Sequence, residues 1–223
     1  SRIELGDLQF TSETAHKISL TLQKRGERFA FTVSPFAIKI DDFILIEPTG
    51  IRQTIRGNFQ VWEYRQTNTQ MYGLDLDASL SLSDNIRFVH QFSLVKGYDK
   101  TSNEPLISMP PASTLNSLVY TNPDFKNLSI SLQSNYVFRQ NEFPNTNFEV
   151  VLPESIEYID ISTPPAGYHL LNLNITAAIN PDMQVGLYVN NLLNTSYRNY
   201  LNRLRYYADD VGRNITLQLK YNY

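Results

Sequence analysis

The sequence of 223 residues contains no cysteine. Within this chain, a disulfide scaffold, a thiolate zinc site, an iron–sulfur cluster and a cysteine nucleophile are therefore excluded. Charged residues are also scarce, because Asp, Glu, Lys and Arg make up 18% of the chain, whereas an ordinary soluble domain has about 25%. The net charge of −3 argues against general nucleic-acid binding, which needs clustered Lys and Arg.

Long apolar runs are missing as well. The longest extend over about four residues, as at 43–46, whereas a membrane helix needs about 20. No charged segment followed by an apolar one opens the chain, so we expect no export signal within it. Aromatic residues, by contrast, are abundant, with 14 Tyr and 12 Phe. A fold for this chain has to explain few charges together with many aromatic rings.

Apolar and polar residues alternate with a period of two along most of the chain, which is the pattern of a β-strand with two unlike faces. Convincing helical spacing is absent throughout, and residues 192–207, where Asn interrupts Leu, Tyr and Arg, are predicted to form a loop that can include one turn of helix. The alternation predicts nine strands, at 13–23, 28–46, 59–82, 86–97, 113–121, 126–139, 167–179, 183–192 and 212–223.

Two of these strands are long enough to contain irregularities. In 28–46, the apolar positions change from odd to even numbers at Ser34-Pro35, and this change of phase predicts a β-bulge there. In 59–82, the polar residues 66–69 are candidates for a hairpin turn. We predict one uninterrupted strand instead, because of the way the connections are arranged.

Short and long connections alternate strictly between the predicted strands. The short ones carry Gly, Pro, Asn or Asp, which favour tight turns, and the long ones cover 47–58, 98–112, 140–166 and 193–211. In an up-and-down antiparallel sheet, all long loops then lie at one end. This asymmetry is typical of an outer-membrane barrel, and a turn at 66–69 would break it.

A soluble β-sandwich or soluble barrel is the alternative, because its strands alternate in the same way. Against it, the polar faces carry mainly Ser, Thr, Asn and Gln, and the charged residues concentrate in the connections. Tyr and Phe near strand ends suit the aromatic girdles of a membrane barrel. The pattern therefore favours an all-β, up-and-down antiparallel transmembrane β-barrel.

Motifs near the C-terminus sharpen this interpretation. The segment VNNLLNT at 189–195 precedes the Tyr- and Arg-rich stretch 197–210, and Gly212-Arg213-Asn214 leads into the last strand. This succession resembles the last two strands of TonB-dependent outer-membrane receptors. Upstream, YGLDLD at 72–77 and RIELG at 2–6 resemble weaker motifs of the same family, in the same order.

The resemblance implies a barrel of about 22 strands with an N-terminal plug domain in its lumen. Such a barrel needs on the order of 500 residues. We therefore expect residues 1–223 to supply about nine C-terminal strands of it. The plug domain, the earlier strands and the TonB-contacting box are expected outside this chain.

The function that the resemblance implies is TonB-energised uptake of a scarce ligand across the outer membrane of a Gram-negative bacterium, with the long loops extracellular. A ferric siderophore or other iron complex is the expected ligand; haem, cobalamin and oligosaccharides occur among relatives. The rival functions are a passive outer-membrane barrel, either a porin or an adhesin, and a soluble β-sheet binding module. No enzymatic activity and no cofactor are expected.

The expected partners follow from the same resemblance. They are the outer-membrane lipid, the transported iron-siderophore, haem or similar ligand, and TonB, which would act through the absent N-terminal region. The barrel-assembly machinery would read the alternating residues of the last strand. This membrane-insertion signature consists of Ile215, Leu217, Leu219, Tyr221 and Tyr223. Nucleic acid is not among the partners.

No catalytic or metal site is predicted. The three histidines, His16, His90 and His169, are far apart in sequence, and His90 shares the phase of apolar neighbours, which favours a structural or interfacial role. Asp75 and Asp77 lie two residues apart and therefore on one strand face. We interpret them as lumen-facing carboxylates that contact plug side chains or water, not as an acid–base pair.

Ligand contact is predicted within 197–210, where cations and aromatic rings are mixed. Anionic, aromatic ferric siderophores suit such a mixture through charge and cation–π contact. The candidate residues are Tyr197, Arg198, Tyr200, Arg203, Arg205 and Tyr206. We favour the alternative, in which this stretch packs the base of its own loop or shapes the barrel rim. Loop 140–166, the longest, is an equal candidate for ligand contact.

Overall fold

The computed structural model describes residues 2–144, 148–152, 155–159 and 163–222. One 3₁₀ helix, Arg203–Tyr206, lies among the described residues, and none of the helices there is long and apolar enough to cross a membrane. The remaining elements are the strands β1 (Arg2–Leu5), β2 (Thr14–Ser19), β3 (Leu22–Arg25), β4 (Phe29–Thr54), β5 (Gly57–Ser81), β6 (Ile86–Asp99), β7 (Ser113–Asn122), β8 (Leu128–Val137), β9 (Phe148–Leu152), β10 (Ser155–Ile159), β11 (Tyr168–Asn180), β12 (Met183–Asn190) and β13 (Asn214–Tyr221).

Eleven of these strands form a single sheet, in the order β13-β12-β11-β8-β7-β6-β5-β4-β2. Every neighbouring pair along this order is antiparallel. β3 continues β2 along β4, and β1 runs parallel to β5. β9 and β10 form a separate hairpin within the connection from β8 to β11. The all-β, up-and-down class is confirmed, and the sheet is not closed within the described residues.

The register gives the sheet two unlike faces. One cross-strand row runs through Leu80, Phe88, Leu118, Leu132, Leu173, Val189 and Ile215. We call the face of this row the outer face, and the opposite one, which carries Asp75, Asp77, Gln91 and Ser93, the inner face. Nothing in the described chain covers the outer face, and Leu217 is 75% exposed there. An extended, uncovered and mainly apolar face of this kind is what a lipid-facing wall presents.

The long hairpin β4–β5 agrees with one prediction and contradicts another. β5 is uninterrupted through residues 66–69, as predicted. The predicted loop 47–58 is wrong, because both strands continue to a tight turn between Thr54 and Gly57, where Gly57 has φ +116°. The turn-forming residues in that stretch are absorbed by a register shift between Pro48 and Gly50.

The predicted bulge at Ser34-Pro35 is also wrong. β4 pairs with β5 without a register shift there, and the bulge lies instead at Asp41-Asp42, where Asp42 has φ +57°. The change of phase has another cause. Beyond Pro35, the apolar side chains move from the outer to the inner face, which in β4 carries Phe36, Ile38 and Ile40.

Pro35 of β4 interrupts the strand that pairs with it. Proline has no N–H to donate to a ladder, and the predicted strand 13–23 is divided opposite it into β2 and β3. Between β2 and β3, the Leu20 N–H donates to the Pro35 carbonyl at 3.1 Å, and this bond keeps the chain beside β4. The other predicted strands match β6, β7, β8, β11, β12 and β13 to within a few residues.

Candidate functional site

Loops from distant strands converge at one end of the sheet, which we call the loop end. The loop between β12 and β13 reaches the loop between β6 and β7, because Tyr200, 5% exposed, lies beside the backbone of Ser108. Burial raises the pKa of Tyr200. The same loop also approaches β1, since the charge of Arg203 contributes to lowering the pKa of Glu4.

An ionic network on the inner face forms the base of the loop end. Arg65 of β5 donates through Nε to Glu47 of β4 at 2.6 Å and through Nη2 to Asp99 of β6 at 2.6 Å. Asp99 is the most enclosed member, and its side chain is 3% exposed. One guanidinium therefore joins three strands where the tall hairpin β4–β5 leaves the sheet.

Asp99 also organises the start of the loop after β6. Its Oδ1 accepts from the Thr67 hydroxyl at 2.7 Å and from the Thr101 N–H at 2.8 Å. The chain then turns back, and the Leu106 N–H donates to the Gly97 carbonyl at 2.8 Å. Leu106 is 3% exposed over Gly97, where a Cβ would meet the Leu106 side chain at 2.8 Å. This loop is consequently fastened to the wall.

Asparagines shape the loop between β12 and β13. Asn191 adopts φ +52°, a conformation that Asn tolerates better than most residues. Its side chain accepts from the Thr195 N–H at 2.8 Å and donates to the Thr195 carbonyl at 2.9 Å. Asn194, at φ +54°, accepts from the Arg213 N–H at 2.9 Å, which closes the far end of the loop.

Two aspartates fasten the middle of this loop. Asp209 accepts from Arg198 Nε at 2.7 Å and from the Ser196 hydroxyl. These two contacts, Arg198 first, lower the pKa of Asp209. Asp210 accepts from the Asn199 N–H at 2.7 Å and from Asn202 Nδ2 at 2.8 Å. The loop thus folds on its own contacts.

Three of the predicted ligand-contact residues form one cluster, the Tyr200 cluster. The Arg205 guanidinium lies 4.4 Å from the ring centroid of Tyr200 and 4.7 Å from that of Tyr206. Asn202 caps the short helix beneath them by accepting from the Leu204 N–H at 2.9 Å. The arrangement holds a cation between two aromatic rings at the loop end.

The other three predicted residues lie apart from this cluster. Arg198 pairs with Asp209, and Tyr197 packs on Tyr168 of β11 with ring centroids 4.4 Å apart. Arg203 is exposed on the short helix and lies toward Glu4. These contacts agree with the packing alternative, and ligand contact by the six residues stays a prediction.

A second cation–aromatic cluster, the Trp62 cluster, was not predicted. Arg2 of β1 lies 4.5 Å from the ring centroid of Trp62 on β5. Glu4 accepts from Arg2 Nε at 2.6 Å and from the Tyr64 hydroxyl at 2.9 Å. Its members come together only through the parallel pairing of β1 with β5. The four residues of β1 are too few for an alternation of apolar and polar residues to predict this strand. The only feature of the sequence that pointed to this region was the similarity of residues 2–6 to a family motif.

The inner face carries a polar hollow of about 430 Å³. Asp75 and Asp77 lie on its wall and accept from the Ser93 hydroxyl and from Gln91 Nε2, each at 2.7 Å. Each carboxylate is thus held by a neighbour on β6, and no contact joins the two, which agrees with their interpretation as inner-face carboxylates.

The histidines do not meet. His90 and His169 lie on the outer face, where His90 Nδ1 is 2.7 Å from Asn116 Oδ1 and His169 Nε2 is 2.8 Å from the Ser134 hydroxyl. His16 lies on the edge strand β2. Across the described ranges, no three His, Asp or Glu side chains gather in a way that would hold a metal ion.

The residues of the C-terminal signature lie as the alternation predicts, so far as they are described. Ile215, Leu217, Leu219 and Tyr221 share the outer face of β13, and each is more than half exposed. Tyr223 lies outside the described residues. In loop 140–166, Glu142 accepts from Lys96 and from the Tyr98 hydroxyl; residues 145–147, 153–154 and 160–162 lie outside the described part.

A comparison with family models identifies the family of this chain. The family model "TonB dependent receptor-like, beta-barrel" matches residues 2–192. A comparison with curated proteins finds none that matches.

Solved structures show the same fold. The copper transporter OprC superposes with a TM-score of 0.80 at 17% identity, over 98% of this chain and 33% of that one. The FrpB iron transporter from Neisseria meningitidis gives 0.69 at 19% identity, over 99% and 33%. The siderophore receptor PirA from Acinetobacter baumannii gives 0.67 at 16% identity, over 95% and 32%. The chain spans about a third of the length of these structures.

Proposed function

Because the chain belongs to the family of TonB-dependent receptor-like β-barrels, we propose that it forms part of the wall of an outer-membrane receptor for TonB-energised uptake of a scarce ligand. The observation that carries this proposal is the match of the family model over residues 2–192. The uncovered outer face supports it, since lipid is the environment in which such a face is stable.

The orientation follows from the two ends of the sheet. The turns after β5, β7 and β11 are short, whereas the loop end carries the long loops and the tall hairpin. Outer-membrane barrels have short periplasmic turns and longer extracellular loops. The loop end is therefore proposed to be extracellular, in a Gram-negative bacterium. The barrel-assembly machinery is proposed to read β13.

The described sheet is proposed to be about nine C-terminal strands of a barrel of about 22. The open edges, at β2 with β3 and at β13, would pair with strands outside this chain, because lipid does not tolerate unpaired backbone groups. The plug domain and the TonB-contacting segment would lie in the remainder of the receptor.

An iron complex, most often a ferric siderophore, is the proposed ligand. The solved structures of similar fold include an iron transporter, a siderophore receptor and a copper transporter. The Tyr200 cluster and Arg203 at the loop end present cations beside aromatic rings, which suits an anionic, aromatic complex. The receptor would bind and move its ligand without covalent chemistry.

Uptake measurements test the proposal. A strain that lacks the gene would be compared with the complemented strain for uptake of radioactive iron from a panel of ferric siderophores, each with and without TonB. Uptake that requires both the gene and TonB is the expected result. Uptake that needs the gene but not TonB would favour the second candidate, a passive barrel. Normal growth of the deletion strain on every iron source would contradict iron uptake.

A comparison of two variants tests whether the loop end contacts the ligand. Arg205→Ala removes the cation of the Tyr200 cluster, and Arg213→Ala, in the same loop, removes a cation outside it. If the cluster contacts the ligand, Arg205→Ala should weaken binding about tenfold or more, as expected for a charge-assisted contact. Equal binding by the two variants would contradict this assignment.

A further inference from the structure

The apolar outer face is interrupted by a group of polar side chains, which we call the outer polar patch. Its members are His90, Thr114, Asn116, Ser134 and His169. In the cross-strand row that runs through it, Ala78, His90, Asn116, Ser134 and Leu171 follow one another. Polar side chains on a lipid-facing wall are costly and mark functional sites.

The pair at the centre of the patch has open hydrogen-bonding capacity. His90 Nδ1 lies 2.7 Å from Asn116 Oδ1. Because an amide oxygen only accepts, Nδ1 donates the proton, and Nε2 of the neutral imidazole is left as an acceptor. The Asn116 Nδ2 group keeps two donors. Among the described residues, neither Nε2 nor Nδ2 has a partner. An acceptor and a donor therefore stand side by side.

The depth of His90 and Asn116 in the membrane decides which partner could complete their hydrogen bonds. His90 lies four residues above the start of β6 at Ile86. With a rise of about 3.3 Å per residue and a strand tilt of about 40°, this places it roughly 10 Å above the short-turn end. The apolar band of such barrels is about 25 Å tall. Lipid headgroups and bulk water do not reach this depth, so another protein surface is the appropriate partner.

We propose that the outer polar patch is the contact between two copies of this chain in the membrane. The inference rests on the proposed function, which places the outer face in lipid. A two-fold contact requires a self-complementary surface. An adjacent acceptor and donor meet that condition, because His90 Nε2 of one copy faces Asn116 Nδ2 of the other, and the reverse. Ala78 and Ser134, the cross-strand neighbours of the pair, are small and allow close approach.

Disulfide crosslinking of the full-length receptor in its own membranes tests this contact. Leu118→Cys lies on the outer face of β7, two residues from Asn116, and Leu217→Cys is its control on the outer face of β13. Both positions are exposed, at 45% and 75%. The chain has no cysteine of its own, and any cysteine elsewhere in the receptor would be replaced by Ser. A crosslinked dimer is expected for Leu118→Cys and not for Leu217→Cys.

A second substitution tests the hydrogen bonds themselves. Adding Asn116→Leu should lower the crosslinked fraction about tenfold, because two intermolecular hydrogen bonds in lipid are lost. Adding Asn116→Gln should restore part of it. Leu is well suited to lipid, so barrel assembly, followed by heat-modifiable gel migration, should be unchanged.

Three outcomes would overturn the inference. They are equal crosslinking at positions 118 and 217, a dimer that Asn116→Leu leaves intact, and a receptor that native mass spectrometry of the solubilised membranes finds only as a monomer. TonB-dependent uptake would be measured in the same cells. Intact uptake without a dimer overturns only this contact, whereas a receptor absent from the outer membrane overturns the proposed function as well.

Discussion

Two ion pairs at the loop end have nearly the same geometry and very different surroundings. Arg65 contacts Asp99 at 2.6 Å, and Arg198 contacts Asp209 at 2.7 Å. The Asp99 side chain is 3% exposed, whereas that of Asp209 is 47% exposed. The first pair joins strands of the wall, and the second lies within one loop.

Burial, not distance, separates the two pairs. An exposed ion pair is screened by water and contributes little to stability, whereas removing one partner of a buried pair leaves a desolvated charge behind. Asp99 also holds the Thr67 hydroxyl and the Thr101 N–H. The wall network therefore fixes where the tall hairpin and the loop after β6 leave the sheet, and the Arg198 pair only shapes its own loop.

The largest effect is expected for Asp99→Ala. It leaves Arg65 with Glu47 alone and the Thr67 hydroxyl with the Thr101 hydroxyl alone, and it removes the acceptor of the Thr101 N–H. We expect a loss of about 2–4 kcal/mol in the local opening free energy. Hydrogen exchange of the amides in 99–106 would measure it, with acceleration of about thirtyfold or more. Asp99→Asn, which keeps an acceptor, should lose less. Unchanged exchange in Asp99→Ala would contradict the assigned role.

A smaller effect is expected for Glu47→Ala. Arg65 keeps its contact with Asp99, and the Glu47 side chain is 31% exposed, so we expect a loss of about 1 kcal/mol. Accelerated exchange should appear in β4 near residue 47, with little change in 99–106. Glu63→Ala is the matched control, because Glu63 faces Glu47 across the hairpin. If both variants accelerate exchange equally, the network does not include Glu47.

The wall was largely predictable from sequence, because its rule is local. Period-two alternation located the strands that became β6, β7, β8, β11, β12 and β13 and separated their two faces. The rule failed at positions whose conformation depends on pairing with a particular neighbouring strand. Pro48 and Gly50 signalled a loop, but pairing with β5 absorbed them in a bulge. The phase change at Pro35 signalled a bulge, but it marks apolar side chains on the inner face.

The loop end was less predictable, because its contacts span distant parts of the chain. The mixture of Tyr and Arg in 197–210 predicted ligand contact or packing of the loop, and three of these residues lie together around Arg205. The network of Arg65 with Glu47 and Asp99 had no sequence signal, since charges 18 and 34 residues apart meet only once the register is set. The Trp62 cluster depends in the same way on the parallel pairing of β1.

A small effect is expected for Asp209→Asn. The variant loses the charge that pairs with Arg198 but keeps an acceptor for it and for the Ser196 hydroxyl. Because both side chains are nearly half exposed to water, amide exchange in 193–211 should change by less than about threefold. Asp210→Asn is the comparison, since Asp210 accepts from the Asn199 N–H and from Asn202. A larger effect for Asp209 than for Asp99→Ala would reverse the ranking of the two pairs.

The smallest effect concerns pH. The contacts with Arg198 and Ser196 lower the pKa of Asp209 below its ordinary value, which is about 3.9. A carboxylate with a depressed folded-state pKa stabilises the fold above its unfolded-state pKa, and this contribution disappears as pH falls through the folded-state value. Opening of 193–211 should therefore be constant from about pH 7 to 5 and rise slightly below about pH 4.

The control for this pH dependence is Asp209→Asn, which has no proton to bind at that position. Glu4 and Glu142 also have lowered pKa values, through Arg2 and Lys96, and they remain in the variant. The difference between the two proteins in amide exchange of 193–211 therefore isolates Asp209. Identical profiles below about pH 4 would show that the Arg198 contact adds nothing to the loop in water, as happens for many exposed ion pairs.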